Sequence, residues 1–386
     1  MNSTFVFLPA LVLMTLLSRG FAQQLENRVF LDGGTHSIDV PTDPHGIAMG
    51  ESFVSMPNNN AAMFYNPAGL AGLSHISLSY SKRSMDWVSF FDQMKYYSFT
   101  ATIPTSFVNI GLLYNRFSAG DLLYTTNQNP EGDGTTISLY DHTIGIGLAR
   151  QYDERLSFGL SVKTFNSIVK VQGSSAGSVT GFPKTTRLPV LFDFGILYII
   201  PLNDENSSFL HQLNLGLSVQ NVGSALKQEQ KTTILGTQTT TRYTTTMSHY
   251  LRVGFSYCYT MHGDSFETLD PIGVRATAEY RNATNSRNAR KDYWGFGISL
   301  TLFEIASARL GGYIAPFTSI YGNEGSTAAR YGFALHAPMK KLGFGMPLVL
   351  DAEYTSIPVN SIPYFTEQKK SLAVFSLGIQ YEYELF

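Results

Sequence analysis

A chain of 386 residues with a net charge of −2 and only 15% charged side chains carries no basic field of the kind that binds nucleic acid. Its single cysteine, Cys258, excludes an internal disulfide. Aromatics reach 13% and glycines number 34, which suits a β-protein, and past residue 22 no apolar run reaches the ~18 residues of a transmembrane helix.

In chain order, residues 1–22 read as a secretory signal peptide. Phe5 to Leu17 form its apolar core, and Gly20 and Ala22 supply the small residues before a cut after Ala22. The first four residues lack the usual Lys or Arg. Residues 23–38 read as an exposed tail. Residues 39–73 differ from everything after them: prolines 41, 44, 57 and 67 and glycines 46, 50, 69 and 72 break regular structure. Ile47, Met49, Phe53 and Met56 nonetheless need burial. The segment reads as a compact plug of short helical turns inside a structure built by the later residues. A lid on an ordinary N-terminal subdomain is the plainer alternative.

Residues 74–386 alternate with period two. Leu213, Leu215, Leu217 and Val219 share one face of a strand, and Asn214, Gly216, Ser218 and Gln220 the other. About fourteen such runs follow one another, most near the ~9–11 residues of a tilted membrane strand. Connections after the first, third, fifth and seventh runs are long, as at 117–141 and 222–248, whereas those after the second, fourth and tenth are short. Loop length sorted by parity predicts a closed antiparallel sheet with its long loops at one end. The polar face includes Lys163, Asp193 and His336, so it should line the lumen while Leu215, Phe255 and Ile298 meet lipid. The expected fold is all-β, a fourteen-stranded antiparallel transmembrane β-barrel with a lumen plug.

Lumen charges follow from the phase: Arg252, Arg275, Glu279, Arg309, Asp351 and Glu353. They either pair and fix the plug or line a substrate path. Asn66-Pro67 reads most simply as a turn that stops the short helix before it. Sites of chemistry are not predicted. Gly173 to Gly177 spells a serine-nucleophile pattern without its strand-to-helix turn. Gly145-Ile146-Gly147 and Gly295-Phe296-Gly297 hint at dinucleotide binding but fall in strands with no helix after them, and Glu131 to Gly134, which could meet a cation weakly, reads as a loop tip. The eight histidines lack metal-ligand spacing. No catalytic residue, metal or cofactor is expected.

The run DPHGIAMGESFVSMPNNNAAMFYNPAGLAGL (residues 43–73) resembles the N-terminal signature of the PorV/PorQ family, within the FadL-type outer-membrane transporter superfamily. The matching positions are Gly46, Ala48, Met49, Gly50, Asn66, Pro67, Ala68, Gly69 and Leu70, with Gln220-Asn221-Val222-Gly223 a second match. PorV-like members continue Asn-Pro-Ala differently from the Gly69-Leu70-Ala71 seen here. The chain's end resembles the final-strand assembly signal of such barrels, through Tyr381, Tyr383 and Phe386. Phe386 is out of phase with the two tyrosines, which implies a bulge near Leu385 or an inward-turned Phe386. The resemblance implies an outer-membrane barrel with a plugged lumen and lipid as its surroundings, and a mobile gate at the Asn66-Pro67 turn as the alternative to a fixed one. It leaves two functions open. One is passage of hydrophobic small molecules; the other is a part in type IX secretion, binding exported proteins or partner subunits.

Overall fold

The computed structural model describes residues 36–84, 94–125, 129–173, 182–203, 208–234, 237–262, 269–284, 292–315, 326–358 and 371–381. The signal peptide and its cut, most of the tail, Ser174 to Gly177, Tyr383, Leu385 and Phe386 lie outside these residues.

The described strands are β1 (Ile76–Ser84), β2 (Lys95–Ile103), β3 (Asn109–Leu123), β4 (Thr136–Gln151), β5 (Leu156–Gln172), β6 (Lys184–Arg187), β7 (Val190–Pro201), β8 (Phe209–Gly223) and β9 (Leu226–Ile234). They continue with β10 (Thr237–Thr245), β11 (His249–Met261), β12 (Ile272–Thr284), β13 (Tyr293–Leu302), β14 (Ala306–Ala315), β15 (Ser326–Pro338), β16 (Leu348–Pro358) and β17 (Ser371–Tyr381). Fourteen of them close an antiparallel barrel in the order β1-β17-β16-β15-β14-β13-β12-β11-β8-β7-β5-β4-β3-β2. The seam pairs β1 with β17, Ile76 opposite Tyr381. Closure leaves the wall no open edge, the condition for a sheet in hydrocarbon.

Alternation sets inside from outside. In β7, Leu191, Asp193, Gly195 and Leu197 are buried while Phe192, Phe194, Ile196 and Tyr198 stand exposed. The same outward face carries Leu215, Phe255, Ile146 and Leu377. So much contiguous apolar surface would be unstable in water and is solvated by lipid. Short turns such as 104–108, 152–155 and 303–305 gather at one end, the turn end; the longer connections gather at the other, the loop end.

Two features depart from the sequence reading. β3, β4 and β5 run past their expected ends, so the connection expected at 117–141 shrinks to 124–135. The added rungs mix apolar pairs such as Leu122 with Ile137 and polar ones such as Ser138, which donates to Asp121 at 2.5 Å, and the β3–β4 ladder shifts register between Ser118 and Asp121, which breaks the simple alternation there. In addition, β6, β9 and β10 form a separate three-stranded sheet, order β10-β9-β6, inside what reads as loop. Its Thr- and Gln-rich strands are held by ladder bonds and side-chain pairs such as Arg242–Glu229 at 2.9 Å.

Inside the barrel runs an inner segment with three helical turns, α1 (His36–Asp39), α2 (Pro44–Ala48) and α3 (Ala62–Tyr65), then a 3-10 turn (Pro67–Leu70). Its caps explain its short pieces. Asp43 accepts from Gly46 N at 2.5 Å at the start of α2, with Pro44 in the first turn. Asn66 accepts from Ala68 N at 3.1 Å ahead of Pro67. Gly50 sits at φ +67°, where a Cβ would be strained. The segment begins earlier than the boundary at 39: Ser37 is buried, its N–H donating to Asp141 at 2.8 Å, so the end of the expected tail lies within the wall.

Candidate functional site: the lumen

Where the inner segment rests on the wall, the inward positions are rich in glycine. Cross-strand register pairs Gly111 with Gly147, Gly159 with Gly195, Gly216 with Gly254, and Gly297 with Gly311. A Cβ on Gly159 would lie 2.2 Å from Ala68 N, and one on Gly216 2.2 Å from Val54 O. Backbone therefore rests on backbone. The motif residues take their places on this floor. Ala48 and Met49 lie against Gly311, Gly332 and Gly297, and Gly50 meets the β14 backbone at Gly312. Pro67 and Ala68 lie against Gly159, and Leu70 against Gly111. Gly46 and Gly69 make room within the segment itself, facing Tyr65 and the Met56 carbonyl.

Polar side chains from the wall fix the segment's unpaired backbone groups. Glu279 Oε2 accepts from Phe53 N at 2.7 Å and Val54 N at 2.8 Å, while its Oε1 pairs with Arg252 at 2.5 Å. Gln220 accepts from Arg252 Nε at 2.8 Å and donates to the carbonyls of Phe64 and Tyr65 at 2.9 and 3.0 Å. Asn66 donates to Val54 O at 2.7 Å and, across to β7, to Ile196 O at 3.0 Å. Three residues absent from the sequence-derived site complete the set. Asn109 donates to the carbonyls of Leu70, Ala71 and Leu73, and Arg330 pairs with Glu51 at 3.0 Å. A single inward polar residue in a strand gives no signal of which loop carbonyl it meets.

Of the six lumen charges, Arg252 and Glu279 thus hold the segment. The other four line a cavity of about 610 Å³ at the turn end. There Arg309 pairs with Glu353 at 3.1 Å, and Asp351 accepts from His336 at 2.6 Å and Gln380 at 2.8 Å. Arg275 lies against two sulfurs, Met56 Sδ at 3.7 Å and Cys258 Sγ at 3.6 Å. Asp43 and His45 look into the same cavity from the inner segment. Burial, then the neighbouring Glu353, pushes the Asp43 carboxyl up to about 7. Burial, then Arg309, holds His45 well below the ordinary imidazole range, so it is neutral.

At the loop end the inward face mixes the expected polar residues, Arg83 donating to Pro41 O at 3.1 Å and Asp141 accepting from Ser37, with apolar ones that the simple polar-in expectation did not include. Val40 and Ile47 pack with Tyr96, Phe117, Ile357, Leu372 and Val374 as a buried cluster. Helical turns α1 and α2 cover these inward positions, so they form a small core instead of a wetted wall. Tyr381 stands on the outer face at the last rung of β17. Among the described residues no group of His, Cys, Asp or Glu could hold a metal.

No family model matches the chain, and no curated protein matches it. Solved structures do share its layout. A monoaromatic hydrocarbon channel, CymD, is 11% identical over 90% of this chain and 99% of its own, with a TM-score of 0.46. The toluene transporter TodX of Pseudomonas putida is 12% identical over 90% and 100%, TM-score 0.45. A FadL homologue of Pseudomonas aeruginosa is 13% identical over 90% and 100%, TM-score 0.44. A likeness this distant says nothing of what this chain carries.

Proposed function

We propose that this is a non-enzymatic outer-membrane barrel that passes hydrophobic small molecules, with the inner segment as its movable plug. The observation that carries the reading is the segment's position. It separates an apolar cluster at the loop end from a polar cavity at the turn end, and its backbone hydrogen-bonds to wall side chains instead of joining the ladder. Such side-chain-to-backbone bonds contribute about 1 kcal/mol net each when neutral and roughly 1.5–3 kcal/mol when the Glu279 carboxylate accepts, so each can be exchanged for water at a modest cost. Movement of α1 and α2 would offer Val40, Ile47 and their wall partners to an apolar solute. In the orientation usual for outer-membrane barrels the long loops face outward and the turn-end cavity opens to the periplasm.

The test is a lock. Ser37 Oγ and Thr143 Oγ1 lie 3.0 Å apart, so Ser37→Cys with Thr143→Cys, in a Cys258→Ser background, can tie the segment to β4. The oxidised protein should lose uptake of a radiolabelled apolar solute into liposomes, and reduction should restore it. Uptake unaffected by the lock would overturn the plug-gated route. Membership of the PorV/PorQ family and a part in type IX secretion form the second reading. The exposed three-stranded sheet of β6, β9 and β10 at the loop end favours it, as a surface for exported proteins. A secretion component would tolerate the lock and lose partner capture when 226–245 is removed.

A further inference from the structure

The lipid-facing wall bears a groove of about 420 Å³ where β4, β5 and β7 run side by side. Its rims are outward side chains, Leu148, Leu160 and Phe194 on one row and Phe158 and Ile196 on the next. Its floor is the backbone of Ala149, Gly159 and Gly195, whose own side positions face the lumen. Gly159 and Gly195 let the wall settle onto the Asn66–Ala68 turn, with Cβ positions that would fall 2.2 Å from Ala68 N and 1.9 Å from Asn66 Oδ1.

At the turn-end rim stands Arg150, exposed, the next-to-last residue of β4 and directly across from Phe158. Its guanidinium lies 4.2 Å from the centroid of the Phe107 ring, which holds it against the wall. Among the described residues no carboxylate lies within ion-pairing distance of it. A cation at the turn end of the lipid face, with no carboxylate partner among the described residues, thus lines one rim of an apolar trough.

We propose that Arg150 and this groove bind one anionic phospholipid, the phosphate on the guanidinium and an acyl chain over the Gly159–Gly195 floor. A guanidinium matches phosphate geometry, and its single positive charge complements a headgroup of net negative charge. Hydrocarbon alone gives no selectivity on a surface already bathed in acyl chains, so the discrimination rests on Arg150 and the groove fixes where the lipid stands. The turn end places the headgroup in the periplasmic leaflet.

The experiment uses the full chain in nanodiscs carrying spin-labelled phosphatidylglycerol or, separately, phosphatidylcholine. Wild type should immobilise labelled phosphatidylglycerol in preference to phosphatidylcholine. Arg150→Ala should weaken that preference by roughly fivefold, the weight of one interfacial arginine on an anionic lipid. Leu148→Trp, which fills the groove from the lipid side, should release both labels, and Arg155→Ala in the neighbouring turn should change little. Equal immobilisation in wild type and Arg150→Ala overturns the site, as does an equal loss with Arg155→Ala. So does displacement of the labelled lipid by an apolar solute alone. Heat-modifiable migration of each variant verifies that its barrel is folded, and none of these outcomes depends on whether the inner segment moves.

Discussion

Glu279 is the residue on which the inner segment hangs. One carboxylate, 1% exposed, takes two backbone N–H groups of the segment and one guanidinium of the wall. Removing one partner of such a buried pair costs roughly 3–5 kcal/mol, because the other charge is left uncompensated. Glu279→Ala should therefore loosen 36–73 without unzipping the barrel, read as faster hydrogen exchange confined to that segment. Unchanged exchange would show that the glycine floor alone holds it. Asp43 adds a pH dependence. Its carboxyl is raised from the ordinary 3.8 to about 7 by burial and by Glu353, with Arg309 acting against them and neutral His45 beside it. A raised carboxyl favours the protonated, docked form, so this stabilisation is full below 3.8 and is lost as pH rises through about 7. Protection of the segment should fall between pH 5 and pH 8, and Asp43→Asn, which keeps a capping oxygen, should flatten the slope.

Pairs of glycines on neighbouring strands turn a wall into a seat. A side chain at Gly159 would meet backbone, which cannot swing aside as a flexible side-chain end can. Gly159→Val should push the Asn66–Ala68 turn off β5 at an overpacking cost of ~1–3 kcal/mol. Single-channel recording should find raised ion conductance with insertion intact; a barrel as quiet as wild type would mean the segment does not fill the lumen. This element also marks what the sequence could and could not reveal. β7 was legible because Phe192, Phe194 and Ile196 alternate with Leu191, Asp193 and Gly195. The top of β3 was not, because its ladder shifts register between Ser118 and Asp121 and so breaks the phase, and the β6-β9-β10 sheet was not, because its Thr- and Gln-rich strands carry ladder bonds but no apolar phase. Gly145-Ile146-Gly147 and Gly295-Phe296-Gly297 could be rejected as nucleotide loops from sequence. Their positive role needed the register that sets Gly147 beside Gly111 and Gly297 beside Gly311. The six lumen charges were legible as inward residues. Their division into segment-holding and cavity-lining sets was not, since it depends on the depth at which the segment crosses.

The whole molecule has three environments along one strand, and β8 samples all of them. Leu215 faces lipid near the strand's middle, Ser218 is buried inside, and Gln212 opens on the turn-end cavity. A charge should be tolerated only in the last. Leu215→Arg exposes a guanidinium to hydrocarbon near the membrane midplane and should cost ~2–4 kcal/mol. Ser218→Arg, on the inward face, is no safe control, because the segment fills that depth and Arg252 already stands directly across from Ser218 in the register with β11. Gln212→Arg keeps its charge in water. Urea titration of folded protein in vesicles should rank the three, with Gln212→Arg near wild type and the other two clearly below it. If Ser218→Arg proved as mild as Gln212→Arg, the lumen at that depth would be wet instead of filled. If Leu215→Arg were mild as well, the assignment of the apolar face to lipid would fail.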